Sequence, residues 1–405
     1  MTVFEINSVP YGSTGRIMFQ IANTVKATGS VAYTSASFTK SRGEHFPETY
    51  YRIGGAIGKT EHIILAKLTG RHGYYSHFAT YKLIKKIKQV KPDVIHLHNI
   101  HGWYLNWKML FDYLKKANIP VIWTLHDCWA FTGHCPHFMA IGCDKWKSGC
   151  YECDLYKSYH GCFFDDSRFQ YRYKKECFTG VPNLTIVTPS QWLADLVKQS
   201  YLKDYDTVVI NNGIDLTKFK PRASDFRAKY GLENKILILG VAFDWTPKKG
   251  LDDFKRLAED LPEEYEIVLV GVSDIVATTL PERIISVACT QNQEELAEIY
   301  SVADLFVNPT LEDNFPTVNL EALACGTPVI TYQTGGSPES ITESTGKVVP
   351  HKDYKALKNA VIEMRNAKAS ISEVCIERAQ LYECKDAYCK YIELYKSILE
   401  KNKNG

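Results

Sequence analysis

Short apolar runs, each followed by a stretch with helical spacing, recur from one end of this chain to the other. Runs of this length are too short for buried helices and lack the in–out alternation of half-exposed strands, so they read as strands covered on both faces. Intervening helices supply that cover, and the expected fold class is α/β, with parallel, doubly wound sheets. In the first half the strands are Val3 to Asn7, Asp93 to His98, Pro120 to Leu125 and Leu184 to Thr188. In the second they are Val208 to Asn211, Ile236 to Val241, Ile267 to Val270, Leu305 to Asn308 and Pro328 to Tyr332. Asn212-Gly213, followed by Asp215 and Pro221, has the turn chemistry of a crossing between domains. The expected division is residues 1–204, residues 205–384 and a Tyr-rich helix over 385–405. That helix packs either on its own domain or back on the first. Two Rossmann-like domains of this kind would face each other across a cleft and bind ligands beyond the carboxyl ends of their strands.

Composition narrows the classes. No run of 18 or more apolar residues occurs, which excludes a spanning helix, and the first residues lack a basic leader with an apolar block, so a cytoplasmic location is expected. The net charge is only +2, but residues 1–200 hold 24 Lys and Arg against 14 Asp and Glu, and the remainder holds 24 against 32. The basic first half is expected to meet something anionic, a phosphorylated ligand or an acidic membrane surface. Lys82, Lys85, Lys86, Lys88 and Lys91, with Leu83, Ile84 and Ile87 on the same helix, suit an interfacial contact as well as an ordinary half-buried helix.

The loops after the strands carry phosphate and sugar chemistry. Gly12 to Gly15 lets backbone approach a ligand closely, and Arg16, opening the helix expected over residues 16–26, can reach a phosphate oxygen. Lys248 and Lys249 follow the strand ending at Val241 and could both reach a diphosphate, with Gly336 in a second amide-rich helix start. Pro316 suits the first position of a helix of about ten residues ending at Gly326. Its unpaired amides make residues 314–318, with Asn314, Phe315 and Pro316, a place for a phosphate or a sugar hydroxyl. Asp313 precedes that helix. Glu321 lies in its second turn, where a carboxylate can accept two hydrogen bonds from a ribose diol. His126 and Asp127 end a strand. Six of the 12 cysteines fall at positions 128, 135, 143, 150, 153 and 162. Cys135, Cys143, Cys150 and Cys153 are the simplest set for a structural zinc, with Cys128, Cys162 and His134 as spare ligands, against the reading of buried thiols without metal.

The segment from Asn308 to Ile330 resembles the donor-site signature of retaining family-4 glycosyltransferases of the GT-B fold. There two acidic residues separated by seven positions, here Asp313 and Glu321, precede Ala-Leu-Ala-x-Gly-x-Pro-Val. Asp stands where Glu is usual, and Asn-Phe-Pro where Gly-Phe-Gly is common. Further likeness covers almost the whole chain: the N-terminal glycine loop, Thr124-Leu125-His126-Asp127, Thr188-Pro189-Ser190, Asn212-Gly213-Ile214-Asp215, Lys249-Gly250 and Gly335-Gly336-Ser337-Pro338-Glu339. Tyr-Gly-Ser-Thr-Gly-Arg and His-Asp-Cys-Trp-Ala-Phe-Thr-Gly-His-Cys resemble a branch that builds bacterial surface polysaccharide of the colanic acid or capsule type. The resemblance implies transfer of a sugar from a nucleotide diphosphate sugar to an acceptor hydroxyl with retention at the anomeric carbon. It implies donor contacts by Gly12, Gly15, Arg16, Lys248, Lys249 and Glu321, and His126, with Asp127 and Asp313, beside the reacting sugar. Val241 stands where the family usually has Arg, and Lys248 is the candidate substitute. No catalytic metal and no nucleic acid are expected. The acceptor is expected to be a lipid-linked glycan, and the protein peripheral at the inner face of the membrane. The rival readings are a nucleotide-sugar epimerase on the same fold and a zinc-containing RNA-binding protein. A Rossmann dehydrogenase is disfavoured, since no GxGxxG with a later ribose-binding acid is present.

Overall fold

The computed structural model describes residues 1–39, 46–159 and 161–404. The chain forms two compact units, the first made of Met1–Phe138, Gly142–Ile210 and the chain from Tyr388 on, the second of Asn211–Ala387 with the short segment Met139–Ile141.

The first unit carries a sheet of β1 (Thr2–Asn7), β2 (Val31–Ser37), β3 (Tyr50–Ile53), β4 (Val94–Leu97), β5 (Val121–Thr124), β6 (Leu184–Thr188) and β7 (Asp206–Val209), ordered β3-β2-β1-β4-β5-β6-β7. Every pairing is parallel. The order reverses between β1 and β4, so the loops after these two strands flank the crevice where doubly wound sheets take ligands. The domain boundary lies later than 204. The expected second-domain strand Val208 to Asn211 is β7, and its pairing of Thr185 with Asp206 through Thr188 with Val209 makes it the edge of the first sheet. From Tyr388 the C-terminal helix Cys384–Asn404 belongs to this unit: Tyr388 donates to Gln20 Oε1 at 2.9 Å, and Tyr391 and Tyr395 are buried beside His96.

The second unit carries β8 (Ile236–Val241), β9 (Tyr265–Val270), β10 (Ile284–Val287), β11 (Leu305–Asn308), β12 (Val329–Tyr332) and β13 (Gly346–Val349), ordered β10-β9-β8-β11-β12-β13 and again parallel. Its reversal lies between β8 and β11. Each face of the sheet has its own core, one around Phe306, Leu320 and Tyr300, the other around Phe254, Leu257 and Tyr332. Phe254 explains Gly240 in β8, where an added Cβ would stand 2.5 Å from the Phe254 ring. Fully burying a side chain of this size is worth about 1.5–3 kcal/mol.

Candidate active site

In the second unit the loops after β8 and β11 meet at the reversal point. Leu311 N–H donates to the Lys248 carbonyl at 2.8 Å. Gly250, at φ +77°, lies so close to Pro309 that a Cβ would come within 2.4 Å of it. This approach brings the basic pair to the acidic pair. Lys248 Nζ lies 2.9 Å from Glu312 Oε2, and Lys249 Nζ lies 2.7 Å from Asp313 Oδ2. Sequence reasoning placed both lysines on a diphosphate and Asp313 on the sugar, and it passed over Glu312. The structure instead joins them into two ion pairs at the head of the helix Thr317–Ala324. A carboxylate beside each ammonium holds it over the loop, at the cost of competing with any anion that binds there.

That helix starts one residue later than expected, with Pro316 as its N-cap, and no side chain caps its first amides. Its inner side is tied to the Gly335–Ser340 turn: Asn319 Nδ2 donates to Ser337 O at 3.3 Å and Ser337 Oγ at 3.0 Å, and Gly336 N–H donates to the Asn314 carbonyl at 2.8 Å. The two amide-rich loops therefore lie side by side. Phe315 is buried and packs on Tyr382. Glu321 is 8% exposed, which excludes a solvated surface position, and its Oε2 accepts from the Tyr300 hydroxyl at 3.1 Å. A buried carboxylate that accepts from a phenol is of the right chemistry to accept from a diol.

In the first unit the loop after β1 is shorter than the sequence suggested, because the glycine segment is itself the first turn of the helix Gly12–Ala27. Gly12 sits at φ +70°, and Gly15 packs so closely that a Cβ would be 2.5 Å from the Pro10 carbonyl carbon. Arg16 is exposed in that turn. Asn7 pins the loop: its Oδ1 accepts from Ser8 N–H at 2.8 Å and Asn99 N–H at 3.2 Å, and its Nδ2 donates to Thr14 Oγ1 at 3.2 Å.

His126 and Asp127 follow β5. His126 Nε2 is 3.1 Å from His98 Nδ1, and His98 Nε2 is 3.1 Å from Glu5 Oε2. Burial lowers His126 to about 4 despite the neighbouring Asp127, so its imidazole is neutral near pH 7. Burial raises Asp127, but the His101 hydrogen bond and charge, the charge of His137 and the Trp129 amide outweigh it and bring the carboxyl down to about 2. Asp127 is thus ionised and a weak base. Glu5, His98 and His101 escaped sequence reasoning. The signal was present for His98, which ends its strand as His126 ends the next.

Among the described residues, the cysteine-rich segment has only three-residue 3-10 turns for regular structure. Cys150 Sγ accepts from Gly133 N–H at 3.0 Å. Burial raises the thiols of Cys135 and Cys150, and the charges of nearby cysteines add to this. Among the described residues, however, the group of three or more potential ligands gathered within 4.8 Å is Glu5, His96 and His98, and the four cysteines are neighbours without closing to ligand spacing. His134, also buried, has no hydrogen-bond partner on either ring nitrogen. Lys174 lies fully buried between this segment and the strand ends, over the Trp129 ring at 4.0 Å and lowered by burial to about 7.

On the helix His77–Val90, Leu83 and Ile87 are buried and take no part in an exposed apolar face, because with Thr80 they form its inward stripe. The exposed apolar residues are others: Phe78 and Tyr81 on that helix, and Ile57, Ile64 and Leu68 on the helix Ala56–Thr69. Beside them a cavity of about 770 Å³ is lined by Phe38, Tyr51, Arg52, Lys59, Phe78 and Lys82, among others.

Two doubly wound parallel sheets, each with phosphate-suited loops at its reversal point, define a GT-B glycosyltransferase fold. The comparisons with known proteins agree. Residues 38–218 match the family described as Glycosyltransferase Family 4, and residues 233–366 match that described as Glycosyl transferases group 1. The chain belongs to the glycosyltransferases built from these two domains. Among relatives, the Escherichia coli (strain K12) protein that bears the name colanic acid biosynthesis glycosyl transferase WcaC is 27% identical over 275 residues, 66% of each chain. A D-inositol 3-phosphate glycosyltransferase of Mycolicibacterium smegmatis is 30% identical over 185 residues, 42% of this chain and 43% of that one. The matched stretches thus span about two thirds or less of these relatives' lengths. Among solved structures, sucrose-phosphate synthase from Thermosynechococcus elongatus has a TM-score of 0.73 at 19% identity, covering 99% of both chains. Anabaena HepE in complex with UDP-glucose has a TM-score of 0.67 at 15% identity, covering 98% of this chain and all of that one. Among the described residues no helix is long and apolar enough to cross a membrane.

Proposed function

We propose that this chain transfers a sugar from a nucleoside diphosphate sugar to a glycan hydroxyl, with retention at the anomeric carbon. The observation that carries the reading is the meeting of the β8 and β11 loops, which pairs Lys248 with Glu312 and Lys249 with Asp313 just before the helix that carries the buried Glu321. In this reading the ribose diol lies on Glu321 and the diphosphate on the Lys pair and the amides of residues 314–318. The lysines and helix dipole then stabilise the negative charge that grows as the diphosphate leaves. No pair of carboxylates flanking the bond is needed, because positioning and charge stabilisation carry the step and the departing diphosphate can take the acceptor's proton. In the first unit, taken by itself, Arg16 with Gly12 and Gly15 has the chemistry to take phosphate oxygens, and His126 that to take a sugar hydroxyl. The UDP-glucose complex of HepE supports a nucleotide-sugar donor for a chain of this fold. Calorimetry against nucleoside diphosphates tests the donor site: Lys249→Ala should weaken binding without loss of folding, and unchanged affinity there would remove the assignment.

The proposed acceptor is a lipid-linked, anionic glycan presented at a membrane surface. Exposed Ile57 (87%) and Phe78 (69%), flanked by Lys82, Lys85 and Lys88, support it, since apolar side chains among cations suit an anionic leaflet, where each basic residue adds about 1 kcal/mol. The chain should sediment with anionic but not neutral vesicles and lose this with Phe78→Ser or Lys85→Glu. Equal recovery in the supernatant with either lipid would mean a soluble acceptor.

A further inference from the structure

The cavity of about 770 Å³ in the first unit lies beyond the carboxyl ends of β2 and β3, to one side of the reversal between β1 and β4. Its charged lining is one-sided: Arg52, Lys59 and Lys82, with His77, against the single carboxylate of Glu61. Among the described residues no carboxylate pairs with any of the three cations. The Arg52 guanidinium lies 5.4 Å from the centre of the Phe38 ring and Lys82 Nζ 4.4 Å from that of Phe78. Lys59 is half-buried, and its Nζ donates to Ser37 Oγ at 3.2 Å and to the Phe38 carbonyl at 3.1 Å, both uncharged. An ammonium has three donors, so one remains.

Two helices begin at the same cavity. Gly55 and Ser76 are the N-caps of Ala56–Thr69 and His77–Val90, no side chain caps either helix, and the Ser76 hydroxyl is engaged with His62 Nδ1 at 2.7 Å. The positive ends of both helix dipoles therefore add to the three cations. Gly55 and Gly58 keep the space open, since a Cβ on either would meet nothing within 4 Å. Gly58 weakens the first turn of its helix, and no crowding requires it there. Along that helix runs an apolar groove of about 510 Å³ lined by Ala56, Ile57, Thr60, Glu61, Ile64 and Leu65. Glu61 lines both, so the basic cavity and the apolar groove adjoin.

We propose that the cavity and the groove together bind one molecule of a lipid phosphate, with its phosphate on Arg52, Lys59 and Lys82 and its hydrocarbon chain over Ile57 and Ile64. The inference deepens the acceptor reading and rests on it for the lipid's being part of the acceptor, but binding can be measured without transfer.

Charge and shape select this occupant. A soluble phosphate would satisfy the cations and leave the groove in water, with Ile57 87% and Ile64 52% exposed. An uncharged amphiphile would cover the groove and leave three cations and two helix starts without a counter-charge. A flat anionic leaflet would meet Ile57 and Phe78 but not the half-buried Lys59. A single lipid phosphate meets all of them: the guanidinium fork, the ammonium groups and the helix amides give charge-assisted hydrogen bonds to its oxygens, and the chain removes apolar surface from water. Glu61, the one opposing charge, stands where the head gives way to the chain.

The test is calorimetry of the full-length protein with decyl phosphate below its micelle concentration. Inorganic phosphate supplies the head without the chain, and decyl maltoside the chain without the charge. Decyl phosphate should bind at a single site, about tenfold or more tighter than either. Lengthening the chain from hexyl to decyl phosphate should tighten binding by more than about tenfold. Arg52→Gln with Lys82→Gln should weaken decyl phosphate about tenfold and keep the dependence on chain length. Gly58→Phe, which fills open space on an exposed turn, should weaken it as much with no loss of stability in urea, and Ile57→Ser with Ile64→Ser should flatten the chain-length dependence. Inorganic phosphate bound as tightly as decyl phosphate would make the cavity a plain anion site, and decyl maltoside bound as tightly would make the groove a plain apolar surface. Either result overturns the proposal, as does decyl phosphate binding that every variant retains. Sedimentation with anionic vesicles but no saturable binding of decyl phosphate overturns it too, and leaves the leaflet contact in place. Decyl phosphate bound as stated by a chain that transfers sugar only to soluble acceptors upholds the site and removes the acceptor reading.

Discussion

Replacing Glu321 separates its part in holding the fold from its part in holding the donor. The side chain is 8% exposed and accepts from the Tyr300 hydroxyl at 3.1 Å. A hydrogen bond to a charged group is worth about 1.5–3 kcal/mol and a neutral one about 0.5–1.5. Glu321→Gln keeps the shape and an accepting oxygen for Tyr300, so stability should fall by only about 1 kcal/mol. A ribose diol bound to the carboxylate loses more: both bonds become neutral, and the amide can accept at only one of its two heads. A deficit of about 2 kcal/mol corresponds to roughly thirtyfold weaker binding. Glu321→Ala should weaken the nucleotide further and also leave the Tyr300 hydroxyl unpaired in the core, costing about 1–3 kcal/mol of stability. Urea unfolding and nucleotide calorimetry read the two effects separately. Affinity within about a factor of two of wild type in both variants, with the stability losses as stated, would refute the ribose role and leave Glu321 a structural acid.

Three further outcomes follow from the packing and the ionisation of the first unit. Gly15→Ala forces a Cβ to 2.5 Å from the Pro10 carbonyl carbon, so it should cost about 1–3 kcal/mol in urea unfolding, and a neutral result would mean the loop after β1 can move away freely. Burial holds His62, His126 and His134 at about 4 and His72 and His96 at about 3, below the unfolded value near 6.5. The stability these neutral rings confer is complete above pH 6.5 and lost as pH falls towards 4, because only the unfolded chain takes up the protons, at up to about 1.4 kcal/mol per pH unit for each ring. Equal unfolding midpoints at pH 7 and pH 5 would contradict that. Cys135, Cys143, Cys150 and Cys153 are proposed to close around one zinc, so freshly purified protein should carry about one metal per chain; metal-free protein of full stability would leave them as buried thiols.

The parts of the fold that the sequence displayed are those where one side-chain property decides the outcome. Ile236–Val241 is an uninterrupted apolar run and Leu184–Thr188 is rich in β-branched residues, and both are strands over those residues. Val31–Ser37 and Gly346–Val349 were not recognised as strands, since small and polar residues such as Thr34, Ser35 and Lys347 break the pattern, and neighbouring strands supply what the local sequence lacks. The strand expected over Val208 to Asn211 forms over Asp206–Val209 and joins the first sheet, not the second, because pairing is a long-range choice that no local pattern encodes. At the site, spacing pointed to Lys248, Lys249, Asp313 and Glu321, but not to the ion pairs of Lys248 with Glu312 and of Lys249 with Asp313, which depend on how closely Gly250 and Pro309 approach. The row of contacts from Glu5 through His98 to His126 was invisible for a related reason. In a strand list Glu5 is one polar residue among apolar ones, and only the sheet order puts β1 beside β4 and β4 beside β5.

The central claim is that a sugar moves from a nucleoside diphosphate to an acceptor. The most direct measurement incubates the protein with a panel of nucleotide sugars and with neutral and lipid-diphosphate-linked glycans, following the nucleotide by chromatography and the new linkage by proton NMR. The account predicts that one nucleotide sugar releases its nucleoside diphosphate only when an acceptor is present, that the product keeps the donor's anomeric configuration, and that Lys249→Ala abolishes both. A nucleotide sugar converted to its epimer with no acceptor required would contradict transfer and favour an isomerase, and a product of inverted configuration would contradict the retaining course.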